Sequence, residues 1–201
     1  MMQNKKFAIT GGIGSGKSTV CQMLREKGFQ VFSCDEIYRE LRGERAYLDK
    51  IAELFPDCVD EKGLDAPALS ACVFSDEVAL ERLNSVSHPL IMERLMARMN
   101  ELPLSFAEVP LLFEGGFEPL FDGVLAIRRE KGARVAAVRA RDGLTEAEIL
   151  GRMEKQFDDH LLSQKKCVIL ENNGDENALA ANLKPALQTL FEDYPELQTV
   201  I

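Results

Sequence analysis

Phe7-Ala8-Ile9-Thr10-Gly11-Gly12-Ile13-Gly14-Ser15-Gly16-Lys17-Ser18-Thr19 is the stretch whose reading decides the fold. Its first four residues have the apolar, β-forming make-up of a buried strand, and the glycines that follow turn the chain into a loop. Gly11, Gly16, Lys17 and Ser18 satisfy the spacing G-x-x-x-x-G-K-[ST], which arises by chance in about 200 residues on the order of one time in a hundred. Glycine leaves no Cβ to obstruct a phosphate oxygen or to forbid positive φ. The N–H groups from Gly12 through Ile13, Gly14, Ser15, Gly16, Lys17, Ser18 and Thr19 can then form an anion nest, reinforced by the positive end of the helix that follows. Lys17 is placed to put a point charge on the β- and γ-phosphates of a nucleoside triphosphate. The Ser18 hydroxyl is the expected Mg²⁺ ligand, because Mg²⁺ takes one or two protein oxygens and completes its shell with phosphates and water. Downstream, Val20, Met23 and Leu24 fall on one face of a helix.

Working outward, 201 residues with 46% hydrophobic content can bury one substantial core, as a single domain or a domain carrying a large insertion. The longest apolar runs, such as Val109 to Phe113, are far too short to cross a bilayer, and Met1-Met2-Gln3 leads towards the first strand without a signal peptide's apolar core. These features point to the cytoplasm and to no membrane partner. Five cysteines, odd in number, widely spaced and without a C-x-x-C pair, read as reduced core thiols, and two histidines cannot build a His-rich metal site. A formal charge of −9, from 24 basic and 33 acidic side chains, disfavours nucleic acid as a partner. An anionic ligand therefore has to be held by a local basic pocket.

The glycine at Lys27-Gly28 ends the first helix, and Phe29 to Cys34 reads as a second strand that reaches Asp35. A carboxylate there lies on the sheet edge where open α/β proteins bind ligands; the competing reading makes Asp35 the N-cap of a helix over Glu36 to Leu41. From about residue 42 to 102 the β-α alternation gives way to helical segments around Tyr47 to Leu54, Ala66 to Phe74, Glu77 to Leu83 and Leu90 to Glu101. Such a block suits a substrate-binding insertion in a core formed by 1–41 and 103–201. At its last helix, Pro89 fits the first turn with Ser87 or His88 near the cap, unless His88 is a substrate contact.

A third strand, Leu104 to Val109, carries Glu108 near its end, where an acid can hold a water of the Mg²⁺ shell. Val124 to Ile127 is a fourth strand, and a helix runs on from Arg128 to about Arg139. Thr145 and Glu148 form a capping box, so a second helix begins after Asp142-Gly143-Leu144. Helix, turn and helix, with Arg134, Arg139, Arg141 and Arg152, have the build of a lid over about 134–156 that brings guanidinium groups to a transferring phosphoryl group. Cys167 to Leu170 is a fifth strand, followed by Asn172-Asn173-Gly174, whose amides can read the edge of a base.

Together with Asp35 and Arg39, the runs His88-Pro89-Leu90-Ile91 and Val109-Pro110-Leu111-Leu112-Phe113-Glu114, Arg141-Asp142-Gly143 with Arg152 and Gln156, and Asn172-Asn173-Gly174, this chain resembles the dephospho-CoA kinase family, colinearly over nearly its whole length. The resemblance implies a P-loop kinase fold in the α/β class: a five-stranded parallel sheet flanked by helices, a helical CoA-binding insertion and a helical lid. It implies ATP and dephospho-CoA as substrates, Mg²⁺ as cofactor and transfer of the γ-phosphoryl group to the ribose 3′-hydroxyl. By the same resemblance Asp35 is the catalytic carboxylate, Thr10, Arg39, His88 and Glu114 are acceptor-side contacts, Arg141 is a lid arginine on the nucleotide and Asn173 neighbours adenine. Three departures stand out: Ser33-Cys34-Asp35 replaces Asp-Ala-Asp, Arg134 and Ala137 stand where a Gln and an Arg usually open the lid, and Lys166-Cys167 replaces Ala-Asp. A monomer or weak homo-oligomer is expected. The alternatives are a nucleoside or nucleotide kinase of the same fold and, from a different class, a nucleotide-gated P-loop switch. Against the switch, no apolar strand ends in Asp-Glu as in motor ATPases and no Asn-Lys-x-Asp guanine-reading motif follows a strand.

Overall fold

In the computed structural model, which describes residues 4–201 apart from the side chain of Ser75, Phe7-Ala8-Ile9 is the fully buried centre of strand β1 (Lys5–Thr10). The expected lead-in at Met1-Met2-Gln3 lies outside the described residues. A strand covered on both faces reads as one continuous apolar run and takes partners on both edges. β1 has them in β5 (Leu104–Glu108) and β6 (Gly123–Arg128), both parallel to it. With β2 (Val31–Ser33) beyond β5 and β7 (Val168–Glu171) beyond β6, the five-stranded parallel sheet runs β2-β5-β1-β6-β7, as expected for the α/β P-loop class. Register sets Ile9 opposite Glu108, Thr10 opposite Ala126 and Arg128 opposite Glu171. The parallel direction thus collects Thr10, Glu108, Arg128 and Glu171 at one edge of the sheet, the edge where such sheets bind ligands.

The chain divides into two compact units, one of residues up to Phe32 together with Glu101–Ile201, the other Ser33–Asn100. In the first unit, helices α1 (Lys17–Glu26), α6 (Lys131–Asp142), α7 (Glu146–Glu154) and α8 (Glu176–Leu190) accompany the sheet. Its core joins Phe7, Phe106 and Phe191, with ring centroids 4.9–6.2 Å apart, to Leu179, Leu183 and Leu187, which recur every fourth residue on α8. Four-residue spacing keeps these leucines on one helix face.

The second unit comprises α2 (Cys34–Leu41), α3 (Arg45–Leu54), a short hairpin of β3 (Val59–Asp60) and β4 (Gly63–Leu64), α4 (Ala66–Ser75) and α5 (Glu77–Met99). Sequence pattern suggested two helices with a break before Leu90; the structure has one, and Pro89 sits inside it rather than in its first turn. The proline removes one backbone donor. What carries the helix across it is a face of Leu83, Ser87, Ile91, Leu95 and Met99, all buried at four-residue spacing. Ser87, just before the His-Pro pair, shares a 2.8 Å hydrogen bond with the buried Tyr47 hydroxyl. Arg94 forks onto Glu44 and Arg98 onto Glu40, fastening the second half of α5 to the region around α2 and α3. The hairpin escaped sequence reading because two-residue strands carry no measurable alternation.

Replacing Phe7 by Ala empties the meeting point of three aromatic rings and is expected to lower unfolding free energy by about 3–5 kcal/mol, read by urea denaturation.

Candidate phosphate-binding site and lid

Between β1 and α1 the chain winds through Gly16 at φ 97°, a left-handed position that any Cβ would strain. Gly16 is also the N-cap of α1, and among the described residues no side chain caps that end. Without such a Ser or Asp cap, the first-turn donors of α1 are able to engage an anion. Lys17 folds back so that its Nζ donates to the carbonyls of Gly11 (2.7 Å) and Gly12 (3.2 Å), while Ser15 N–H donates to Gly12 O at 3.1 Å. Ser18 at the start of α1 is exposed, and Thr10 beneath the loop is buried.

The outside of the loop is held by groups from distant parts of the chain. Asn172, directly after β7 and buried, donates from Nδ2 to Ser15 O at 2.8 Å, and lies where a Cβ on Gly16 would come within 2.2 Å of it. Arg134 on α6 is buried despite its charge: Nε donates to Ile13 O at 2.9 Å, Nη1 pairs with Asp159, and Nη2 lies against Gly12. Gln156, two residues beyond α7, accepts from Ile13 N–H at 2.7 Å. Burial pushes the Asp159 carboxyl up, and the neighbouring Arg134 opposes that rise.

The helix-turn-helix expected for a lid is present as α6, Gly143 in the left-handed C′ conformation and α7, opened by a Thr145–Glu148 capping box. Arg141, in the last turn of α6, does not lie on the loop; its guanidinium forks onto the neighbouring Asp142 at 2.7 and 2.8 Å and holds that carboxyl below its usual range. Asn173 is exposed, with Oδ1 accepting from Glu130 N–H at 2.8 Å; it lines an open basin of about 910 Å³ together with Arg128, Lys131, Gln156 and His160.

At the sheet edge, Cys21 Sγ donates to Glu108 Oε2 at 3.8 Å. Burial, reinforced by the Glu108 charge, pushes that thiol up to about 12, so it stays protonated. Glu108 therefore reaches α1 one turn beyond Ser18. A Ser18 hydroxyl with a carboxylate close by is a hard-oxygen donor set that suits Mg²⁺. Among the described residues no cluster of three or more His, Cys, Asp or Glu offers another metal site. Glu114 Oε1 accepts from Phe157 N–H at 2.7 Å and so anchors the segment that follows the lid.

In the helical unit, the cap of α2 is Ser33, whose Oγ accepts from Glu36 N–H at 3.4 Å; Asp35 lies inside the first turn and is exposed. This corrects the reading of Asp35 as the N-cap and leaves its carboxylate at the favourable end of the helix dipole. Arg39, four residues on and also exposed, shares that face. His88 is half-buried on α5, and burial lowers its affinity for a proton.

The dephospho-CoA kinase family model matches residues 6–178. This chain belongs to the dephospho-CoA kinase family. It is 35% identical to a dephospho-CoA kinase of Deinococcus radiodurans over 92% of each chain, and 38% identical to one of Thermus thermophilus over 92% of this chain and 91% of the relative. The crystal structure of TT1252 from Thermus thermophilus superposes with a TM-score of 0.82 at 37% identity, covering 94% of this chain and 98% of that one. A shikimate kinase from Acinetobacter baumannii, 14% identical with a TM-score of 0.56 over 96% and 97% of the two chains, shares the fold.

Within this kinase family, Arg134 is one of the chain's departures, and the structure builds it into the phosphate loop's support. Sequence reading gave Asn172 a share in reading a base edge, whereas the structure turns its amide onto Ser15 O, and it assigned no individual role to Gln156 or Asp159. Gln156 was visible as part of a family signature, but nothing in its spacing reveals a contact 143 residues away.

Gly16→Ala is expected to cost about 2 kcal/mol of stability, since the added methyl meets Asn172 at a left-handed backbone position; thermal melts read the loss. His88 gives a second test. Its folded proton affinity lies below the ordinary value of 6.5, so the unfolded chain binds more protons and stability falls as pH drops through 6.5. His88→Gln is expected to remove that part of the acid loss, seen as a smaller difference in denaturation midpoint between about pH 7.5 and 5.5.

Proposed function

We propose that the chain transfers the γ-phosphoryl group of ATP to the ribose 3′-hydroxyl of dephospho-CoA, forming CoA and ADP, the final step of CoA synthesis. The observation that carries this reading is a family match running from β1 through the phosphate loop, the lid and Asn172-Asn173-Gly174 without interruption. Phosphoryl transfer asks a protein mainly for alignment and charge neutralisation, and the residues divide along those lines. Main-chain donors from Gly12 to Thr19 hold the triphosphate. Lys17 exchanges the carbonyls of Gly11 and Gly12 for phosphate oxygens, a stronger, charge-assisted contact. Arg141 leaves Asp142 for the transferring group, and Asn173 borders the adenine. Mg²⁺, held by Ser18 with Glu108 acting through water, supplies neutralisation of phosphate charge when bound.

On the acceptor side, Asp35 accepts the proton of the 3′-hydroxyl as its oxygen bonds to the γ-phosphorus and the bond from that phosphorus to the ADP oxygen breaks. Thr10, Arg39, His88 and Glu114 contact the acceptor, and the helical insertion of about 42–102 receives the CoA moiety. The reading keeps the protein in the cytoplasm, as a monomer or weak homo-oligomer, with small-molecule substrates and neither nucleic acid nor membrane. Among the described residues no helix is long and apolar enough to cross a membrane.

ADP release in a coupled assay is expected with dephospho-CoA as acceptor; release with a nucleoside monophosphate and none with dephospho-CoA sinks the assignment. Asp35→Asn is expected to lower kcat by at least about 100-fold while ATP still binds.

A further inference from the structure

Both polar atoms of the Ile13 backbone are held by side chains from the two roots of the lid. The N–H donates to Gln156 Oε1 at 2.7 Å, just beyond α7, and the C=O accepts from Arg134 Nε at 2.9 Å, near the start of α6. Arg134 is in turn paired with Asp159, three residues beyond Gln156, so the hairpin is closed at its base where it meets the loop. In a trans peptide, C=O and N–H point in opposite directions. Fixing Ile13 C=O towards Arg134 therefore directs Gly14 N–H away from α6. Fixing Ile13 N–H towards Gln156 directs Gly12 C=O away from the lid root, to the place where it accepts from Lys17 Nζ at 3.2 Å and Ser15 N–H at 3.1 Å.

These two planes need such a restraint. Gly14 sits at φ 76°, where its lack of a Cβ lets the 13–14 peptide rotate at little steric cost, and a flipped 13–14 peptide presents a carbonyl oxygen where a phosphate expects a donor. We propose that Arg134 and Gln156 are positioning residues that lock the 12–13 and 13–14 peptide planes, so that the lid's roots set the direction of the Gly14 donor and the resting place of Lys17. Neither residue touches substrate in this scheme; both act through the loop. The packing agrees, since a Cβ on Gly12 would lie 2.0 Å from Arg134 Nη2 and one on Gly14 2.7 Å from the Arg134 carbonyl.

The inference rests on the loop being the ATP site, and a separate variant tests that point: Lys17→Met abolishes binding of a non-hydrolysable ATP analogue in calorimetry if the loop is the site. Unchanged binding there overturns the site itself, whatever Gln156 does. For the peptide lock, Gln156→Met keeps the side chain's bulk and removes its acceptor. The expected result is about tenfold weaker binding of the ATP analogue, a KM for dephospho-CoA within about twofold of wild type and an unchanged melting temperature. In ¹H–¹⁵N spectra, the shift of the Gly14 amide on adding the analogue shrinks in the variant. Arg134→Lys, which keeps a charge beside Asp159 but loses the planar guanidinium, repeats the pattern; should it fail to fold, Gln156→Met carries the test. Wild-type affinity for the analogue in Gln156→Met overturns the proposal. So does a fall in melting temperature with equal rises in both KM values, which marks a merely structural contact.

Discussion

A loop that grips phosphate through its main chain must keep a set of N–H groups unpaired and aimed inward, a conformation the backbone does not adopt unaided. Unpaired donors are costly, and left-handed glycines bring no side chains to hold them in place. Everything around Gly11 to Ser18 answers that constraint from outside the cradle. β1 delivers the loop at the sheet edge, Asn172 takes the Ser15 carbonyl, and Arg134 and Gln156 take the two sides of Ile13. The glycines serve twice, admitting phosphate on the inner side and the close approach of Arg134 and Asn172 on the outer side.

The same economy governs charge. In a chain with a net charge of −9, Arg134 and Arg141 are each matched locally with an acid, and burial distinguishes their uses. Arg134 and Asp159 are largely buried, with side-chain exposures of 9% and 17%, where removing one partner strands the other. Arg141 and Asp142 are at 62% and 29%, in a solvated pair that water screens. A phosphoryl oxygen competes easily for Arg141 and poorly for Arg134. The first suits exchange, the second permanent support.

Much of the core was legible because its signals are local. Strand β1, the capping box of α7 and the glycine after α6 each follow from neighbouring residues, and the motif spacing around Gly11 to Ser18 names the ligand chemistry directly. The readings that changed were those in which a local signal met a tertiary one. Pro89 signalled a helix start, yet the buried face through Ser87 and Ile91 carries α5 across it. Asp35 could be read as a cap, but Ser33 two residues earlier took that place once β2 ended at Ser33. In Asn172-Asn173 the two amides are indistinguishable in sequence; the alternation of side chains beyond β7 turns Asn172 under the loop and leaves Asn173 outside.

By itself, the sequence determined the class of fold, the phosphate loop, the helical lid and the family, since each is written in contiguous residues or in motifs whose order along the chain is enough. The tertiary structure alone decided what holds that loop in shape: Arg134, Gln156 and Asn172 bond to loop residues 121, 143 and 157 positions earlier, and Asp159 holds Arg134. Hydrogen bonds between such distant groups leave no periodicity and no spacing to read. They exist because the parallel sheet returns β6 to the edge of β1 and β7 to the edge of β6, bringing the segments that follow those strands back to the loop.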